Sequence, residues 1–186
     1  MKRTFYLMCL FMCMFTIEAE AQAPEGIDSF KLDWIPFENV QTYDITLDKD
    51  IQLYAIKNCS DFGIDVAIFF ALMEHETENT FDADIISKTN DLGLCQLQKK
   101  YIKYHCEMVG FNPCTFDAFN PYDSIALSVR ILSDLRQEYS KYYEGVDLTT
   151  ICLSAYNRGI TAMKNRKSIE TEYASKIIKL SAKYRR

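Results

Sequence analysis

The apolar positions of this chain recur mostly with a helical period, and the breaks between them carry recognisable start and stop signals. Thr46 is placed to cap a helix bearing Ile51, Tyr54, Ala55 and Cys59, which should end near Phe62 and Gly63. Asp65 is the cap of a second helix. Its run from Val66 to Met73 is apolar without alternation, so this helix reads as the buried centre of a domain. From Phe81 to Leu92 clusters of Asp, Ser, Thr and Asn surround two isoleucines, a pattern that suits turns and a short irregular hairpin. Helical spacing resumes near Leu94. Asn120-Pro121 is a cap followed by proline at the first helical position, and Ile125, Val129, Leu132, Leu135 and Tyr139 mark a long amphipathic helix. Asp147 opens a further helix through Ile151 and Ala155, stopped by Gly159. A last helix carries Tyr173, Ile177, Leu180 and Tyr184 on one face. The expectation is a mainly α fold with a short irregular hairpin after the buried helix.

The first residues follow a different pattern. Lys2 and Arg3 precede an apolar run from about Phe5 to Ile17, then Ala19-Glu20-Ala21, which is the pattern of a signal peptide cleaved after Ala21. An uncleaved N-terminal anchor is the other reading, and either implies export. The expected organisation is a signal peptide at 1–21, a lead-in at 22–45 with Pro24, Gly26 and Pro36, and one domain at 46–186.

Composition narrows the function classes. The formal net charge is -5 and the pI near 5.1, with no basic stripe to neutralise phosphates, so a nucleic-acid partner is not expected. After removal of residues 1–21 five cysteines remain: Cys59, Cys95, Cys106, Cys114 and Cys152. They form no CxxC pair, so no zinc site is expected. Cys106 and Cys114 bracket a loop with Gly110 and Pro113 and are the candidate local disulfide, while the other three read as small buried apolar residues.

The acidic knot Glu74-His75-Glu76-Thr77-Glu78 follows the apolar run directly. A solvated helix end would account for it. Its position suggests more, because a carboxylate at a helix C-terminus faces the negative pole of the macrodipole among apolar neighbours. Both effects raise its pKa, and a carboxyl kept protonated near neutral pH suits a general acid. Glu76 shares a helical face with Phe69 and Met73. The period alone leaves Glu74 as an alternative. A metal site on His75 with Glu76 or Glu78 is disfavoured, since adjacent helical residues do not face the same way.

From about Asp50 to Ile178 the chain resembles the soluble, lysozyme-like lytic transglycosylases. Ala71-Leu72-Met73-Glu74-His75-Glu76-Thr77 is similar to the family's Ala-Leu-Ile-x-x-Glu-Ser, and Phe81-Asp82-Ala83 with Ser87 is similar to the following Phe-Asn-Pro and serine. Gly93-Leu94-Cys95-Gln96 resembles Gly-Leu-Met-Gln, and Phe119-Asn120-Pro121 resembles Phe-Asp-Pro. Ala155-Tyr156-Asn157-Arg158-Gly159 resembles Ala-Tyr-Asn-Ala-Gly, and Glu170-Thr171 with Tyr173 resembles the closing segment. Each piece alone is a weak signal, and the ordered set is a strong one. Departures fall at Thr77, Cys95, Arg158 and Ile160-Thr161, so the rim of the cleft is altered.

The resemblance implies an α+β lysozyme-like fold and cleavage of peptidoglycan glycan strands between N-acetylmuramic acid and N-acetylglucosamine. It places the acid and base on Glu76 and the closure of a 1,6-anhydro ring on the muramic C6 hydroxyl. It also implies that Tyr156 orients the Glu76 carboxyl, that Gln96 and Asn157 line the sugar groove, that Ser87 sits near the muramic unit, and that Thr77 belongs to the substrate-binding set. Asp82, Asp84 and Asp91 then read as loop or turn residues. Two rivals stay open: a goose-type-lysozyme-like muramidase, with Asp91 or Asp82 as catalytic aspartate, and a catalytically silent wall-binding protein. No cofactor or metal is expected. A monomer is, acting in the periplasm, cell wall or outside the cell, with cell-envelope machinery as an open partner.

Overall fold

The computed structural model describes residues 40–164 and 168–185. These belong to one compact unit, Asp33–Arg186. The expected signal peptide, and the lead-in up to residue 39, lie outside the described residues.

The expectation of a mainly α domain holds. Among the described residues the helices are α1 (Lys49–Asp61), α2 (Val66–Glu76), α3 (Ile102–Val109), α4 (Pro121–Tyr139), α5 (Gly145–Arg158), α6 (Ile160–Lys164) and α7 (Glu172–Leu180), with 3-10 turns at Lys99–Tyr101 and Ser181–Tyr184. One antiparallel pair, β1 (Asp91–Leu92) and β2 (Leu97–Gln98), completes the fold in the register Asp91 to Gln98 and Leu92 to Leu97.

The centre is α2. Asp65 caps it by accepting from the N–H groups of Ala67 and Ile68, and every residue from Ala67 to Glu74 is buried. Phe69, Phe70, Leu72 and Met73 are fully buried, each contributing on the order of 1.5–3 kcal/mol of apolar burial. The helix packs against α1, α7 and the Ser181–Tyr184 turn, while α4 packs against α1, α3 and α5 to enclose a second cluster around Leu127, Leu135 and Ile151.

Several boundaries differ from the pattern. The cap of α1 is Asp48, because Thr46 instead donates its hydroxyl to the Thr80 carbonyl at 3.0 Å. Helix α5 begins at Gly145, which places Asp147 in its first turn. The hairpin extends past Leu92: only an Ile86–Leu92 bridge lies inside the expected segment, and the strand pair continues to Gln98. Helix resumes only after the Lys99–Tyr101 turn, because Gly93 and Gln96 both have positive φ, 72° and 50°, which a right-handed helix cannot accommodate.

The lead-in contributes structure before residue 46. Tyr43 stacks edge-on against Tyr184 at 5.0 Å between centroids, packs on Phe70 at 4.7 Å, and donates its N–H to Gln52 Oε1 at 2.7 Å. The cysteines are all free among the described residues. Cys106 is buried in the second cluster and Cys114 is exposed in its loop, so the candidate disulfide is not formed.

Candidate active site

The last turn of α2, the segment after it and the hairpin enclose one cleft of about 500 Å³, within the range of small-ligand sites. Glu74, His75, Glu76, Glu78, Asn79, Ser87, Asp91 and Gln96 line it, with Leu180 from the end of α7.

The two candidate glutamates of α2 have different partners. Glu74 is buried and accepts from Lys183 Nζ at 2.9 Å and from the Tyr184 hydroxyl, which clasps the C-terminal turn onto α2. Glu76 is half-buried and accepts from the Tyr173 hydroxyl of α7. Burial pushes the Glu76 carboxyl up to about 7; the Tyr173 bond pulls against that, and the Asp91 charge adds to it. Tyr173 itself is held far above its ordinary range, by burial first and then by Glu76, so it remains a proton donor to the carboxyl. His75 stands edge-on to the Tyr173 ring at 5.3 Å between centroids, and burial lowers its pKa, with Lys176 contributing.

The chain beyond α2 turns sharply through left-handed conformations at Glu78, Asn79 and Phe81, with φ of 51°, 69° and 54°. Thr77 holds this turn. Its hydroxyl donates to the Met73 carbonyl at 2.7 Å and accepts from the Phe81 N–H at 3.0 Å, and the residue has no exposed surface. Thr77 therefore cannot reach a substrate, contrary to its expected place in the binding set.

Gln96 comes to the cleft in a left-handed conformation. Its Nε2 donates to the carbonyls of Gly93 at 2.8 Å and Ile85 at 3.3 Å, which leaves the amide oxygen as an acceptor at the cleft. The backbone beneath it is held at the Cys95 peptide. Cys95 N–H donates to Ser124 Oγ at 3.2 Å, and the Cys95 carbonyl accepts from the Tyr156 hydroxyl at 2.9 Å. Cys95 is fully buried and burial pushes its thiol up to about 12, so it is a packed thiol.

Gly93 admits this turn. A Cβ there would lie 1.9 Å from the Ala118 carbonyl oxygen, and the φ of 72° disfavours a side chain independently.

Of the residues expected at the site, the fold brings Glu76, Ser87 and Gln96 together. It does not bring Asn157, which is exposed near the end of α5 and outside the cleft lining. Tyr156 is also redirected. Glu76 influences it electrostatically, yet its hydroxyl goes to the Cys95 carbonyl and meets Ser128 Oγ at 3.0 Å. The bond to the Glu76 carboxyl belongs to Tyr173, which carries no role in the sequence reading beyond the closing segment.

Asp91, expected as a turn residue or as the catalytic aspartate of the muramidase reading, stands in the cleft at the start of β1. A turn from Ser87 to Asn90, closed by the Asn90 N–H on the Ser87 carbonyl at 3.1 Å, brings the hydroxyls of Ser87 and Thr89 to Asp91. Asp82 instead accepts the Asp84 N–H at 2.9 Å in a local turn and is not a cleft residue.

A family model described as the transglycosylase SLT domain matches residues 53–179, most of the described chain. No curated protein matches it. The mainly α fold, the hairpin that follows the buried helix and the extent of this match agree: the chain belongs to the lytic-transglycosylase SLT-domain family of the lysozyme-like superfamily.

Proposed function

We propose that this protein cleaves peptidoglycan glycan strands at the bond from N-acetylmuramic acid to N-acetylglucosamine, with Glu76 as both acid and base. The observation that carries this reading is the state of Glu76: a half-buried carboxyl, raised to about 7 and aimed by Tyr173 in a cleft with Gln96. At neutral pH such a group is protonated for much of the time and gives up its proton readily.

Glu76 protonates the bridging oxygen as the anomeric C–O bond breaks. The muramic C6 hydroxyl then attacks the anomeric carbon, and its proton passes to Glu76, which restores the acid. The product is a 1,6-anhydromuramic end, and no water is consumed. Gln96 offers its amide oxygen, suited to uncharged hydroxyl and acetamido groups, and Ser87 lines the same cleft with its hydroxyl turned to Asp91. The N-terminal pattern supports export to the envelope, where the substrate is found.

One observation favours a second reading. A carboxylate beside the acid, as Asp91 is in this cleft, is what a muramidase would use to handle water or a covalent intermediate. Mass spectrometry of muropeptides released from purified wall separates the two, since anhydro ends mean transglycosylation and reducing ends mean hydrolysis. Glu76→Gln should lower turnover by about 10²–10⁴-fold. Wall clearing by Glu76→Gln equal to that of wild type would overturn the assignment of Glu76, whereas wild type that binds wall without clearing it would favour a wall-binding role.

A further inference from the structure

The Lys99–Tyr101 turn and helix α3 divide their residues between two sides. Ile102, Cys106 and Val109 pack into the second cluster, whereas Tyr101, Tyr104 and Met108 are left exposed. The exposed rings are joined to one another. Tyr101 and Tyr104 both meet the His105 ring edge-on, at 6.4 and 5.3 Å between centroids, and Lys100 Nζ stands 4.7 Å over the Tyr101 ring. Burial lowers the His105 pKa, against an upward pull from Asp134, so near neutral pH it joins the tyrosines as an uncharged ring. Aromatic rings clustered on an exterior, unlike single scattered ones, mark a surface that meets a partner.

This surface is also basic, in a chain whose net charge is -5. Lys99, Lys100 and Lys103 are exposed beside the rings. The Lys99 N–H donates to the Asn90 carbonyl at 3.1 Å, which sets it against the turn that carries exposed Lys88. Among the described residues only Lys103 of these four has an ion-pair partner, Glu107 at a loose 3.9 Å. The hairpin connects this surface to the cleft, since Lys88 follows the cleft residue Ser87 directly and Lys99 stands three residues beyond Gln96.

We propose that the Lys99–Tyr101 turn and the exposed side of α3 form an accessory binding surface for the peptide-bearing glycan strand, on which lysines pair with stem-peptide carboxylates and tyrosines carry the sugars. The proposal rests on the reading of the cleft as glycan-cleaving. A cleft of about 500 Å³ holds only part of a polymer, so the units beyond the scissile bond lie on the surface next to it. A pyranose turns an apolar face of C–H groups to a flat ring, and the tyrosine hydroxyl can meet its hydroxyls. Each muramic unit bears a peptide with free carboxylates, the complement of unpaired ammonium groups. Continuity with the cleft favours the strand over an anionic membrane as the occupant.

The test measures binding by Glu76→Gln, which should hold strands without cutting them. The ligands are purified strands with stem peptides intact, the same strands stripped by an amidase, and phosphatidylglycerol vesicles. Adding Lys100→Glu with Lys103→Glu should weaken binding to peptide-bearing strands roughly tenfold, leave stripped strands unchanged and flatten the salt dependence. Arginine at both positions should retain the affinity. Tyr101→Ser with Tyr104→Ser should weaken binding to both kinds of strand. In the chain that keeps Glu76, the lysine pair should raise KM on peptide-bearing strands with kcat unchanged. Lys88→Glu with Lys99→Glu is a second charge reversal outside α3, with the same expected loss should the helix variants fold poorly. Full affinity for peptide-bearing strands in both lysine pairs would overturn the proposal, as would an equal loss on stripped strands, or a loss confined to the vesicles. Failure of the underlying reading is seen separately, as a chain with Glu76 intact that binds strands and releases no fragments from them.

Discussion

Tyr173 donates its hydroxyl to Oε1 of Glu76 across 97 residues of chain, joining α7 to the end of α2. The bond favours the ionised carboxylate and so opposes the burial that keeps Glu76 protonated. Tyr173→Phe should therefore raise the Glu76 pKa above about 7 and move the alkaline limb of activity upward. The carboxyl also loses its orienting partner, so kcat should fall, by roughly tenfold if about 1.4 kcal/mol of alignment is lost. A pH profile of the variant checks both effects.

Tyr156→Phe should behave differently. Its hydroxyl satisfies the buried Cys95 carbonyl, so its removal should destabilise the fold by about 1–3 kcal/mol and loosen the turn that presents Gln96. The alkaline limb should stay near its wild-type position, because the bond to Glu76 is intact. Urea unfolding beside the pH profile distinguishes the two tyrosines.

Glu76 itself should cost stability at alkaline pH. Its folded pKa is raised, so its favourable contribution is complete below the unfolded value of 4.5 and is lost as pH rises through about 7. The shift corresponds to about 3 kcal/mol at most, and solvent screening at a half-buried group reduces it. Glu76→Gln should thus match wild type near pH 4 and be more stable by about 2 kcal/mol at pH 8. Denaturant unfolding at the two pH values is the measurement.

Gly93→Ala should be severely disruptive. The added Cβ would collide with the Ala118 carbonyl oxygen, a backbone atom that cannot swing aside, and the φ of 72° adds strain. A loss of roughly 3 kcal/mol is expected, with activity falling further because Gln96 follows directly on this turn. Gly110→Ala, also at positive φ but with open space around the added carbon, should cost only about 1 kcal/mol. Thermal unfolding of the pair separates collision from strain.

The sequence by itself determined the elements whose causes are local. Asp65 caps α2 and Asn120 caps α4 because each side chain reaches N–H groups two or three residues away, and the unbroken apolar run of Val66 to Met73 is a buried helix because no other placement hides all its faces. The ordered motifs also identified Glu76, Ser87 and Gln96, which converge on one cleft. Tertiary structure alone decided which hydroxyl reaches Glu76. Tyr156 and Tyr173 are both aromatic residues on amphipathic helices, and the packing of α5 and α7 sends one hydroxyl to the Cys95 carbonyl and the other to the carboxyl. It likewise separated Glu74, occupied by Lys183 and Tyr184, from Glu76, and brought Asp91 to the cleft while Asp82 stayed in a turn. Periodicity and local caps are written in neighbouring residues, whereas a pairing across 97 positions depends on how whole helices pack.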